Sequence, residues 1–234
     1  MGFLKRILRN NATEELGRES TSGSFEALSE EELQTHMGIN RYGSFDLTDA
    51  IRPSYDVQIV PKQGFRMDKY VDEKSGDETP VIMAAATRHV LMDVFLELID
   101  DLGHVVDVVL ETSHRAGEHR EDLYREHIDM PVLKSILVEF EDLLLHDGCT
   151  GIAVINPAKR QEIQLDEHKL LIMYGNPLDH FRRTLIASDV YPDETLQFIT
   201  EAEHVHSSSE RYLDEFNVLK SRLGIDSGEF AGAW

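Results

Sequence analysis

The order of apolar and polar positions along the chain divides it into segments of two different periods. Residues 81–86 form a short continuous apolar run of buried-strand type. From Val90 onward Leu91, Val94, Phe95, Leu98, Ile99 and Leu102 then recur at helical spacing up to Gly103. Residues 105–110 are rich in valine and too short for a helix, so they predict a central strand. Pro131 opens a second helical pattern, with Val132, Leu133, Ile136, Leu137, Phe140 and Leu144 on one face and Gly148 just past its end. Apolar or alternating stretches at 152–155, 162–165 and 170–174, the first ended by Asn156-Pro157, predict adjacent antiparallel strands joined by turns.

End signals refine this outline. Ser29 is followed three residues later by Glu32, and Leu28 and Leu33 flank the pair, which predicts a capping box with a hydrophobic staple and a short helix stopped by Gly38. Asn176-Pro177-Leu178-Asp179 predicts a helix with Asn176 as its cap and proline in the first helical position. Residues 196–205 read as a strand whose polar centre suits a sheet edge, and Ser207 with Glu210 predicts a capping box ahead of a last helix carrying Tyr212, Leu213, Phe216, Leu219 and Leu223. Residues 55–60 alternate and read as an edge strand or covering arm, whereas 118–126, rich in both charge signs, read as a solvated loop and first helical turn. Residues 81–114 and 170–206 both run strand, helix, strand and end on acids beside histidine, a faint echo with no residue-level repeat.

Strand-helix-strand units thus coexist with strands joined by direct turns. The fold expected is α/β or α+β, a mixed, partly antiparallel sheet covered by helices and preceded by an N-terminal arm. Four stretches follow: a basic segment and flexible linker at 1–24, a short helix and extended arm at 25–78, a compact domain at 79–224 and a loose tail at 225–234.

Composition narrows the function classes. Of 234 residues 41% are hydrophobic and 29% charged, which excludes collagen-like and wholly disordered readings. The 23 basic residues stand against 44 acidic ones, a net charge of −21 whose field repels phosphate backbones, so nucleic acid is not an expected partner and a basic protein is. Phe3, Leu4, Ile7 and Leu8 alternate with Lys5, Arg6 and Arg9, so residues 1–10 suit a short amphipathic helix making weak contact with an anionic membrane surface. With no export signal and one cysteine, Cys149, read as an inert buried thiol, the expected location is a reduced cytoplasm.

No Gly-x-Ser-x-Gly elbow or glycine-rich phosphate loop occurs. The leading expectation is therefore an accessory or regulatory protein acting through protein binding. The alternative is a divalent-metal-dependent hydrolase. Its candidate ligands are Glu111 and His114 at the end of one expected strand, and Glu203 and His206 at the end of another, with His204 as an alternate. Carboxylates and imidazoles together suit zinc or another divalent ion. On a strand, Glu201 and Glu203 share one face while His204 and His206 share the other, so one pair can meet an ion and further ligands must come from elsewhere.

Overall fold

A computed structural model describes residues 24–25, 28–71, 76, 78–114 and 120–225. The basic amphipathic segment, nearly all of the linker and the tail beyond Ile225 lie outside the described residues. Helix α1, Glu30–Met37, starts as expected: the Ser29 hydroxyl accepts from the Glu32 amide, and the Glu32 carboxylate accepts from the Ser29 amide at 2.9 Å. The short strands β1, Arg41–Tyr42, and β2, Phe45–Asp46, form a hairpin, and β3, Ile51–Pro53, follows. Then come β4, Gly64–Val71; β5, Glu78–Ala85; α2, Arg88–Asp100; β6, Val105–Thr112; β7, Glu121–Asp129; α3, Met130–Glu139; and α4, Glu141–His146. The rest comprises β8, Thr150–Asn156; β9, Gln161–Leu165; β10, Leu171–Tyr174; α5, Asp179–Ala187; a 3-10 turn, Ile199–Glu201; β11, His204–His206; and α6, Glu210–Arg222.

The fold is mixed α/β, with antiparallel sheets covered by helices. Seven strands form the main sheet in the order β4-β5-β10-β9-β8-β6-β7, and every neighbouring pair is antiparallel. Strands β8, β9 and β10 make a meander, while α2 carries the chain across the sheet from β5 to β6. Because side chains alternate across a pleated sheet, Ile82, Val108, Leu110, Val154, Ile163 and Met173 all point to one side. There they pack beneath Phe95 and Leu98 of α2, Leu133 of α3, Phe181 of α5 and Phe216 of α6, all buried in one cluster. Each large side chain so buried contributes about 1.5–3 kcal/mol. Strand β11 stays outside this sheet and pairs with β3 in a separate two-stranded ladder, so the second strand-helix-strand unit does not repeat the first.

Several local expectations are corrected. Residues 55–60 form turns and bends, and the edge strand is β4, which pairs with β5 along its whole length. Residues 121–129 form the strand β7 rather than a loop and helical turn: as the opposite edge it exposes most positions, so alternating charge is tolerated while Leu123 and Ile128 turn inward. Helix α5 begins at Asp179 with Leu178 before it, because the Pro177 carbonyl is taken by the Gln161 side chain at 2.8 Å. The last helix is capped by Ser209, whose hydroxyl accepts from Tyr212 N, not by Ser207. Within 196–205 the chain is not a continuous strand: Leu196 and Phe198 anchor in a cluster with Leu170, and the 3-10 turn then redirects it into β11.

The sheet's other side holds Val81, Tyr174, Val109, Ala153 and Ile155 together with the polar Glu111, Glu162 and Gln164, all buried. Glu162 is 0% exposed, and neither of its carboxylate oxygens has a hydrogen-bond partner among the described residues. Burial pushes its pKa from 4.5 up to about 8, and the nearby Asp122 charge adds to the rise. Between those values the folded protein keeps a proton that the unfolded chain has released, so stability falls as pH rises through this window, by at most about 1.4 kcal/mol per unit. Urea denaturation at pH 5, 6.5 and 8 should show that decline in the native sequence and a flatter profile in Glu162→Gln, with the variant the more stable at pH 8. Parallel profiles for the two proteins would mean that Glu162 is ionised throughout.

Candidate metal centre

Three histidines from two elements meet at one end of the main sheet. His204 and His206 lie two residues apart on β11 and therefore share a face, with ring centroids 5.3 Å apart. His168 comes from the β9-β10 hairpin and stands 5.1 Å from the His204 ring and 4.8 Å from the His206 ring. One ring nitrogen from each of the three lies within 4.8 Å of the others. All three rings are half-buried.

The hairpin is built to present His168. Asp166 folds back on the turn it opens: its Oδ1 accepts from the amides of His168 at 3.0 Å and Leu170 at 2.8 Å, and its Oδ2 stands 2.8 Å from His168 Nδ1. Lys169 completes the turn with a positive φ of 63°, and its buried Nζ donates to the Thr150 carbonyl at 2.8 Å, which ties the hairpin to the start of β8. Burial pulls the Lys169 ammonium down to about 8, against several nearby carboxylates.

Each Nδ1 faces an acceptor. In His168 it is the Asp166 carboxylate, in His204 the Ala202 carbonyl at 2.8 Å, and in His206 the Gly148 carbonyl at 2.6 Å. Carbonyls and carboxylates only accept, so each Nδ1 must carry the proton, and in a neutral ring the lone pair then sits on Nε2. Burial opposes charge on His168, but the Asp166 carboxylate outweighs it and the pKa is raised; burial holds His204 below its ordinary value, and the neighbouring rings reinforce that. Three points no more than 4.8 Å apart always have a centre within about 2.8 Å of each, so closing to the ~2.0–2.1 Å of a zinc-imidazole bond takes movements of under 1 Å, roughly.

Beside this triad, on the other side of Gly148, lies a second group. The pairing of β6 with β8 continues past both strands through a bond from Ser113 N to the Cys149 carbonyl, at 2.9 Å. That brings His114, Asp147 and Cys149 together, again with one ligand atom each within 4.8 Å. His114 Nδ1 is 2.7 Å from the Thr112 hydroxyl, and Nε2 is 3.0 Å from Asp147 Oδ2. Burial disfavours the Asp147 charge, yet His114, Ser208 and Thr150 together more than compensate and its pKa is lowered. Burial pushes the Cys149 thiol up. It is half-buried beside His114 rather than sealed in the apolar core expected of it.

The expected ligands are thus distributed over four places. His204 and His206 join His168; His114 joins Asp147 and Cys149. Glu111 turns away from the helix-packed side of the sheet, 1% exposed, and is held by Arg120 and the Gln164 amide. Glu203 accepts from the Ser24 amide at 2.7 Å, and Glu201 pairs with Arg66 at 2.5 Å. The residue the sequence reading passed over is His168. Its available signal was an acid two positions ahead of a histidine in the turn between two recognisable strands, a pattern that fixes an imidazole at a sheet end.

Comparison with protein-family models, curated proteins and solved structures finds no match to this chain.

Gly148 decides whether the triad forms. A Cβ there would stand 2.2 Å from the Ala50 carbonyl and 2.8 Å from that of Ser207, closer than any real side chain comes to backbone. Gly148→Ala should cost about 1–3 kcal/mol through overpacking and displace β11. In histidine-resolved NMR the Nδ1 proton of His206 should lose its hydrogen-bonded shift, while the buried ring of His36, bonded to Pro53, keeps its own environment. An alanine variant as stable as the parent, with its His206 resonance unmoved, would contradict the packing described.

Proposed function

We propose that the chain is a divalent-metal-dependent hydrolase whose ion is held by Nε2 of His168, His204 and His206. The observation that carries this reading is that all three Nδ1 atoms face acceptors, in rings that each bring one nitrogen within 4.8 Å of the others, which leaves Nε2 of each ring as the free lone pair. Metal-binding histidines usually donate their other nitrogen to a carboxylate or carbonyl in this way, which fixes the ring and raises its basicity. Three protein ligands leave a coordination position for water or substrate, the arrangement of catalytic rather than structural zinc. The ion would polarise a substrate oxygen or lower the pKa of bound water.

The chain's own residues do the rest. Asp166 orients His168, and β11 holds the other two rings in register against β3. His168 also lines a small pocket of about 30 Å³ together with Phe45, Leu47, Leu170, Phe198 and Lys62.

A second reading, an acidic accessory or regulatory protein that binds a basic protein in the cytoplasm, is favoured by the charge of −21. It requires a partner retained by metal-free protein and released by salt.

Calorimetric titration with Zn²⁺ tests the leading reading. Binding should weaken steeply between pH 8 and pH 6 as protons compete for the rings, His168 with its raised pKa first. At a hundredfold excess over its Kd the ion should add about 2.7 kcal/mol to stability. His168→Ala should lose this zinc equivalent together with any turnover found on a panel of carboxylic and phosphoric esters. Zinc uptake that ignores His168, or turnover that survives the variant and chelation, would overturn the assignment.

A further inference from the structure

We infer that His114, Asp147 and Cys149 form a second cation site, separate from the three histidines and selective for a thiophilic divalent ion of the zinc type. Two polar atoms here are buried without a hydrogen-bond partner among the described residues. Asp147 is 0% exposed, and its Oδ1 has no hydrogen-bond partner among the described residues. His114 is 6% exposed by its side chain, and its Nε2 likewise lacks one: it lies 3.0 Å from Asp147 Oδ2, but without the alignment of a hydrogen bond. Buried polar atoms of folded proteins nearly always find a partner, and an ion is one of the few that serves an imidazole nitrogen and a carboxylate oxygen together.

The surroundings fix these groups in place. The Thr112 hydroxyl, 2.7 Å from Nδ1, and the Phe216 ring, with its centroid 5.4 Å away, hold His114 from two sides. The Thr150 hydroxyl donates to Asp147 Oδ2 and leaves Oδ1 for a ligand. Cys149 supplies sulfur as thiolate, its proton passing to solvent on loading. One ligand atom from each of the three residues lies within 4.8 Å of the others, so a cation at their centre lies within about 2.8 Å of each before any adjustment. A sulfur, nitrogen and oxygen set selects zinc-like ions over magnesium or calcium, which take oxygen alone. The two sites adjoin through one residue, because the Gly148 carbonyl that accepts from His206 Nδ1 lies between Asp147 and Cys149.

This inference stands apart from the reading of the three histidines, and cobalt separates the two. Cobalt(II) chloride added to metal-free full-length protein under reducing conditions should bind in two equivalents, one of them giving the intense near-ultraviolet charge-transfer band of a thiolate-cobalt bond. Cys149→Ser, nearly isosteric with the native side chain, should abolish the band and one equivalent. His168→Ala should keep the band and lose the other equivalent. His114→Gln, with native circular dichroism, should weaken the band's cobalt affinity at least tenfold, which ties the thiolate to its imidazole partner. The assignment is overturned if native protein shows no such band at saturating cobalt, if Cys149→Ser binds cobalt as the native chain does, or if His114→Gln leaves the affinity unchanged.

Discussion

The close approach of three backbone segments at Gly148 is the constraint on which the rest of the site depends. Its amide donates to the Ser207 carbonyl at 2.8 Å, Ser207 in turn donates to Ala50, and the Gly148 carbonyl takes the His206 ring proton. With a side chain at this position the turn after α4 could not lie against β3 and β11, which meet there. The two-stranded ladder outside the main sheet and the orientation of His206 both pass through this contact. Its free-energy cost is that of forming long-range contacts between segments about 60 to 160 residues apart in the chain. The main sheet, rigid through its buried helix-facing side, supplies the platform that offsets that cost.

Much of the fold was legible in the sequence because it obeys simple periods. The helical recurrence from Leu91 to Leu102, the valine-rich β6, the meander of β8 to β10 and the Ser29 cap stand in the structure close to where the pattern predicts them. Each depends on local physics: a stripe facing a core, a pleat or a cap. What the pattern misplaced lies at edges. Strands β4 and β7 border the sheet, bury few side chains and so carry charge like a loop; the start of α5 depends on a tertiary bond from Gln161, which no local signal reveals.

The site was legible in half. Alternation on a strand was enough to put His204 and His206 on one face, and they do meet. Glu203 and Glu111 were grouped with them by chemistry and by their places at expected strand ends, but Glu111 is buried against Arg120 and the Gln164 amide instead. His168 was invisible as a ligand, since its neighbours in space are far off in sequence; only the fold of the hairpin brings the Asp166-oriented ring to β11. Convergence of this kind is a property of topology, and a lone chain of letters records it only through turns such as the one that Asp166 closes.

The central claim is that the three imidazoles present Nε2 to one ion. Crystals of zinc-loaded protein, with anomalous data collected on both sides of the zinc absorption edge, test it most directly. The account predicts an anomalous peak about 2.0–2.1 Å from Nε2 of His168, His204 and His206, with the bonds from Nδ1 to Asp166, Ala202 and Gly148 retained. A peak bound through Nδ1, or zinc-soaked crystals with no density among these rings, would contradict it.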